Sequence, residues 1–210
     1  MALTLDELTV TDEAAAWRGC GFEVEGDVCV VGGVRIRLVP KDGKRGLTGW
    51  SLRGIDSPEL DGLPTSVSDL PPPTDAPEHR NGVTAIDHVV AISSNLDRTV
   101  AALTAAGLDL RRVREEPTPA GAPRQAFFRL GPTILEVVQE PPEATERHGG
   151  DRPAFFWGLA FVAPDLERTV AHLGEDRVSE IRTAVQPGRQ IATLRRSAGL
   201  SVPVALMTPP

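Results

Sequence analysis

Leu96-Asp97-Arg98-Thr99-Val100-Ala101-Ala102-Leu103 recurs 70 residues later as Leu166-Glu167-Arg168-Thr169-Val170-Ala171-His172-Leu173. Six of the eight positions are identical and a seventh exchanges Asp for Glu, so the chain carries an internal repeat. A repeat fixes the unit of folding before any single element is assigned. Within each copy the leucines and valine fall at i, i+4 and i+7, the apolar stripe of a helix. Asn95 and Asp165 stand where an N-cap belongs, and Gly107 and Gly174 supply stops.

The copies extend beyond the helix. Each begins with a short apolar run rich in β-branched or aromatic residues, Ala85–Ile92 and Phe156–Val162, which reads as a strand. Three short strand candidates follow each helix: residues 108–113, 125–130 and 133–139 in the first copy, and 178–184, 190–195 and 202–207 in the second. Both copies are therefore β-α-β-β-β. Residues 1–56 repeat the plan faintly. Residues 3–10 read as a strand, 11–18 as an Ala-rich helix, and 29–31 with 34–39 as a hairpin across Gly32-Gly33. Gly46-Leu47-Thr48-Gly49-Trp50-Ser51-Leu52 resembles Gly82–His88, the opening of the middle module. The expected division is a degenerate module at 1–56, a Pro-rich linker at 57–81, a module at 82–141, a loop at 142–153 and a module at 154–210. The linker holds Pro64, Pro71, Pro72, Pro73 and Pro77 and is expected to form no regular element.

Composition excludes several classes of function. With 210 residues, 40% hydrophobic and 24% charged, the chain can bury a core. A net charge of −7 opposes binding to phosphate backbones or anionic membranes, so neither nucleic acid nor membrane is an expected partner. The N-terminal stretch Met1–Leu8 lacks a basic region and is broken by acids, so it does not read as a signal peptide. Cys20 and Cys29, the two cysteines, fit small buried hydrophobes in a reducing compartment, and the expected location is cytoplasmic. There is no tyrosine to act as a phenolic acid. The two lysines, Lys41 and Lys44, share one turn, which leaves no candidate for a desolvated Schiff-base lysine.

Ile86-Asp87-His88-Val89-Val90, the helix start Asn95-Leu96-Asp97-Arg98-Thr99-Val100 and the later Ile134-Leu135-Glu136-Val137-Val138 together resemble a module of the vicinal-oxygen-chelate superfamily. That superfamily includes glyoxalases, bleomycin-resistance proteins and extradiol dioxygenases. The resemblance implies an α+β fold of repeated βαβββ modules, forming curved mixed sheets around a cleft with helices on their outer faces. It also implies a metal-dependent lyase, isomerase or dioxygenase. In such a module the first strand offers a His and the fourth a Glu, so His88 and Glu136 match the two metal-ligand positions. Glu136 is also the candidate catalytic carboxylate. Imidazole and carboxylate suit Zn, Fe, Ni or Mn with positions left open for substrate.

The other modules depart from that pattern. Gly158 stands where His88 does and Val204 near the place of Glu136; in the N-terminal copy Leu52 and Arg37 occupy these places. Two of four ligands remain, which implies weak or absent metal binding. From spacing alone, His88 reads first as a hydrogen-bonded, half-buried strand residue, and only the resemblance brings the ligand reading level with it; Glu136 reads equally as solvent-facing. His79 and His148 are expected in solvated loops and His172 on a polar helix face. His148, Glu143, Glu146 or Asp151 could close over the site and complete it.

Six of the nine aromatics, Phe127, Phe128, Phe155, Phe156, Trp157 and Phe161, flank the second loop. Core packing accounts for most of them. Phe128 and Trp157 are the candidates for substrate contact in an apolar cleft. Three functions stay open: a metal enzyme that polarises two oxygens of a small substrate, a metal-free binder of a small, antibiotic-like molecule, and a structural or interaction protein that kept the fold. The expected partner is a small-molecule ligand, and a homodimer is compatible with the module plan.

Overall fold

The structure is a computed structural model that describes residues 3–40, 43, 45–118 and 121–210. The turn carrying Lys41 and Lys44 lies outside the described residues. Thr4–Val10 (β1), Ala14–Gly19 (α1), Val28–Val31 (β2), Val34–Leu38 (β3), Leu47–Arg53 (β4) and Thr65–Val67 (β5) come first. Ala85–Ser93 (β6), Leu96–Ala105 (α2), Asp109–Arg114 (β7), Gln125–Leu130 (β8), Thr133–Gln139 (β9) and Pro142–Arg147 (α3) follow. The last elements are Phe155–Val162 (β10), Leu166–Leu173 (α4), Arg182–Thr183 (β11), Gln190–Thr193 (β12) and Val204–Met207 (β13).

The fold is α+β with mixed sheets, and the repeat is visible in the pairing. The first strand of each module runs parallel to its last: β6 with β9, β10 with β13, and β1 with β3. The last strand pairs antiparallel with the one before it. The repeated helix start is capped alike in both copies. Asn95 accepts from Arg98 N at 3.1 Å and Asp165 from Arg168 N at 2.9 Å, each satisfying a first-turn amide that has no partner within the helix.

Three expectations are corrected. The Pro-rich stretch at 57–81 contains β5, which pairs parallel with β4. β4 therefore opens a further abbreviated unit, a first and last strand without helix or middle strands, and the division at residue 56 cuts through it. Trp50 anchors the pair, donating from N to Pro64 O at 3.1 Å and from Nε1 to Thr65 Oγ1 at 2.8 Å, and accepting from Ser66 Oγ at 3.4 Å. The stretch at 142–153 contains α3, which opens on Pro142 where a missing N–H costs no hydrogen bond. In the last module the strand expected at 178–184 shrinks to the bridge Val178–Leu194 and the two-residue β11.

Two compact units make up the chain. One holds residues up to Leu5, Gly49–Leu70 and His88–Trp157, and its sheet runs β6-β9-β8-β7. Helix α2 packs on β7, β8 and β9 through buried Leu96, Thr99 and Leu103. Thr99 donates to Asp61, Arg98 binds Asp61 at 2.7 Å, and the segment after β4 is thereby tied to the helix. The other unit holds Asp6–Thr48, Pro71–Asp87 and Gly158–Pro210. Its core carries Trp17, Phe22 and Phe161, with ring centroids 4.9 to 6.2 Å apart, and the free thiols Cys20 and Cys29 are both buried. Burial pushes the Cys29 thiol up to about 12, so it is an inert hydrophobe at neutral pH. Among the described residues no helix is long and apolar enough to cross a membrane.

Candidate functional site

The sheet β6-β9-β8-β7 has two unlike faces. Val89 and Ala91 of β6, Leu135 and Val137 of β9, and Ala126 and Phe128 of β8 are fully buried. They form the side covered by α2. Side chains alternate along a strand, so the intervening residues share the other face. Register places Val90 beside Glu136, Glu136 beside Phe127, and Phe127 beside Arg112. One step along, Ile92, Val138, Gln125 and Arg114 form a second row, and His88 lies beside Ile134 in a third.

His88 and Glu136 meet diagonally on this face. His88 Nε2 is 3.4 Å from Glu136 Oε2, and both side chains are 13% exposed. The other carboxylate oxygen, Oε1, accepts from Gln125 Nε2. Gln125 comes from β8 and is itself buried. Glu136 thus accepts from the strand on one side and turns its other oxygen toward the imidazole of the strand on the other. The sequence nominated His88 and Glu136, whose side chains meet here, but not Gln125. The overlooked signal is the register of a hairpin: Gln125 pairs with Val138, two residues from Glu136 and on the same face.

Of the two substrate-contact candidates, Phe128 is corrected. It is 0% exposed and belongs to the α2-covered core, whereas its neighbour Phe127 lies on the Glu136 face, half-buried. Trp157 is 52% exposed. Phe156 turns inward against Trp50, with centroids 5.0 Å apart, so alternation directs Phe155 and Trp157 to the solvent side of β10. Arg152 lies over the Phe155 ring at 5.2 Å.

The loop candidates are engaged elsewhere. His148 Nδ1 pairs with Glu140 at 2.9 Å, and Arg152 reaches the same oxygen at 2.8 Å. Asp151 binds Arg98 and Ser94. Glu143 and Glu146 are exposed on α3. His79 is not solvated: it is buried, its Nδ1 accepts from Glu23 N at 3.0 Å, and its Nε2 faces Val30 O at 3.1 Å. That arrangement fixes a neutral tautomer, and burial lowers its pKa.

The last module cannot supply the missing ligands. A Cβ on Gly158 would stand 2.8 Å from Pro203 O, so the position equivalent to His88 has no room for a side chain. Register pairs Ala160 with Ala205 as it pairs Val90 with Glu136, so the true counterpart of Glu136 is Ala205. Val204, the residue expected there, is buried on the other face.

Two ligands each about 2.1 Å from a tetrahedral zinc ion have donor atoms roughly 3.4 Å apart. The His88–Glu136 separation matches that bite. Among the described residues no group of three or more His, Cys, Asp and Glu side chains could hold a metal ion. The pair fits two corners of a divalent site and leaves the others to water or ligand.

The family profile described as "Glyoxalase/Bleomycin resistance protein/Dioxygenase superfamily" matches residues 85–200, more than half of the chain. The chain belongs to that superfamily. Solved glyoxalase-superfamily structures share its fold. Methylmalonyl-CoA epimerase from Mycobacterium tuberculosis is 19% identical with a TM-score of 0.50, over 61% of this chain and 90% of that one. A Streptomyces coelicolor methylmalonyl-CoA epimerase variant in complex with 2-nitronate-propionyl-CoA is 22% identical with a TM-score of 0.48, over 60% and 94%. A xylose isomerase-like TIM barrel/4-hydroxyphenylpyruvate dioxygenase fusion protein is 13% identical with a TM-score of 0.60, over 98% of this chain and 49% of that one. The last likeness includes the N-terminal residues that the family profile does not reach. At these identities the comparison speaks for the fold alone. No curated protein matches the chain significantly.

Proposed function

We propose that this glyoxalase-superfamily chain handles a small oxygen-bearing molecule on the Glu136 face of the β6–β9 sheet. The observation that carries the reading is the convergence of His88, Gln125 and Glu136, from three strands, onto one half-buried surface. Half-buried polar groups that converge beside apolar ones suit ligand binding. Phe127, Val90, Val138 and Ile134 offer apolar contact around the polar centre, and Trp157 is the outlying aromatic.

His88 Nε2 and Glu136 Oε2 are the residues that would hold a divalent ion such as Zn, Fe, Ni or Mn. When bound, it would supply Lewis-acid polarisation of two substrate oxygens. Two protein ligands make a weak site, so the chain's own groups bear more of the work. Gln125 holds Glu136 Oε1, and Oε2, which faces His88 Nε2, would be the oxygen that takes a proton or accepts from a substrate hydroxyl. His88 can donate to an oxygen of the ligand or to Oε2.

The second reading is a metal-free binder of a small, antibiotic-like molecule. Gly158 and Ala205, which offer no donors where the last module would need them, favour it. The two readings share a site and differ in metal dependence. NMR screening of small hydroxy, keto and thioester carboxylates tests the site itself. Bound compounds should shift His88, Gln125, Phe127 and Glu136, and Glu136→Leu should remove the binding. Hits that all map away from these residues would overturn the reading. Repeating the screen with and without added Mn²⁺ separates enzyme from binder: the enzyme reading requires at least one ligand whose binding needs the ion.

A further inference from the structure

Strand β7 carries a feature that the reading above leaves unused. Its pairing with β8 slips by one residue between Leu110 and Arg112, with Arg111 as the extra residue. Leu110 and Val113 are three apart, so a regular strand would send them to opposite faces. The bulge turns both toward the buried side, beside Phe128 and Ala126. The same slip re-aims Arg112 and Arg114 onto the open face, beside Phe127 and Gln125.

Charged residues on an edge strand can serve simply to block edge pairing. These two differ in what meets them from most of the arginines in and beside the module, Arg129 excepted, which bonds Gly131 O at 3.2 Å. Arg124 is held by Glu115 at 2.7 Å and Asp97 at 3.0 Å, Arg98 by Asp61 at 2.7 Å, and Arg152 by Glu140 at 2.8 Å. Arg111 takes Asp109 at 3.2 Å. Arg112, by contrast, forms no ion pair among the described residues, and Arg114 has only the highly exposed Glu116, at 3.9 Å. Arg112, without an ion pair, and Arg114, weakly paired, thus stand at the β7 ends of two adjacent rows, that of Glu136 and Phe127 and that of Gln125.

Resting on the site reading above, we propose that Arg112 and Arg114 form an anion subsite, so that the molecule handled on this face is an amphipathic anion. Its carboxylate or phosphate group would lie on the arginines, its apolar body on Phe127, and its reacting or chelating oxygens at His88 and Glu136. The row Glu136–Phe127–Arg112 crosses two strand spacings, about 10 Å between the outer backbones. That length suits a small organic acid or phosphate ester, not a bare inorganic ion. Guanidinium is the matched partner for either group, through paired N–H donors.

The test uses phenyl phosphate and phenylacetate as anionic probes and benzyl alcohol as the neutral control, titrated into the ¹⁵N-labelled 210-residue chain. Both anions should shift the Arg112 and Arg114 Nε–H signals together with the Phe127 amide. The double variant Arg112→Gln/Arg114→Gln should weaken them about tenfold or more, since charge-assisted pairs are the strong ones, and should leave benzyl alcohol unchanged. Loss of one anion alone tells whether phosphate or carboxylate is preferred, and supports the subsite either way. Equal affinity in the double variant, or no binding of either anion, overturns the subsite. If any probe, benzyl alcohol included, still shifts Phe127 and Glu136 in either case, the site reading survives without it. If every shift lies off this face, the site reading falls as well.

Discussion

His88 and Glu136 are not register partners, yet their side chains meet: His88 lies opposite Ile134 and Glu136 opposite Val90, while Nε2 and Oε2 are 3.4 Å apart. The contact is the diagonal one between neighbouring parallel strands, on a face that is only half-buried. Solvent still reaches both groups, so their mutual energy is small. His88→Ala should cost about 1 kcal/mol or less, and a double-mutant cycle with Glu136→Gln should give a coupling of roughly 0.5 kcal/mol. Urea denaturation of the four proteins measures it; a coupling several times larger would show a pair retained for stability instead of ligand handling.

Gln125 has a larger structural share. It is buried and donates to Glu136 Oε1, so Gln125→Leu leaves a half-buried carboxylate short of a donor. The expected loss is about 1–2 kcal/mol, and a second change, Glu136→Leu, should recover most of it because both polar partners are then gone. A double variant as unstable as the single one would contradict this account of the contact.

Gly158 is constrained by its neighbour, not by its own backbone. A Cβ there would stand 2.8 Å from Pro203 O, the acceptor of the Leu159 N–H at 3.0 Å. Gly158→Ala should therefore lower stability by about 1–3 kcal/mol through overpacking. Gly158→His should destabilise further without raising metal affinity. A Gly158→His protein that melts like the parent and binds Zn²⁺ more tightly would refute the steric argument.

Glu140 gives the chain an acid-sensitive point. The Arg152 guanidinium, with help from His148 and Thr145, lowers its carboxyl from the usual 4.5 to about 2. The folded pKa lies below the unfolded one, so the stabilisation is present above about pH 4.5 and is lost as pH falls toward 2. With His148 open to solvent, the contribution is on the order of 1–2 kcal/mol. Glu140→Gln should remove it at pH 7 and flatten stability against pH across that window. An unchanged acid limb in the variant would place the sensitivity elsewhere.

What the sequence disclosed follows the range of the interactions concerned. The repeated helix starts were legible because capping is local: Asn95 and Asp165 each act within three residues of themselves. The repeated threonines were legible as a pattern but not as a cause. Thr99 reaches Asp61, and Thr169 donates to Asn81 O at 2.6 Å, so each clamps a distant segment to its helix. Face assignments were not legible. A strand alternates with period two, and in Gln125-Ala126-Phe127-Phe128 no composition signal says which phenylalanine is inward. The counterpart of Glu136 was likewise placed one residue off, at Val204 in place of Ala205, and with it on the wrong face. β5 and α3 escaped because three or six residues between prolines carry too little periodicity. His79 read as solvated because its partners, Glu23 N and Val30 O, are about 50 residues away in sequence.

Paramagnetic line broadening on stepwise addition of Mn²⁺ to ¹⁵N-labelled protein tests the central claim most directly, because even a weakly held ion erases the signals nearest to it. The account predicts that the His88, Gln125 and Glu136 resonances broaden first, that the apparent affinity is weak as expected for two ligands, and that His88→Ala abolishes the effect while the fold is retained. Broadening that begins away from the β6–β9 face, or that survives His88→Ala unchanged, would contradict it.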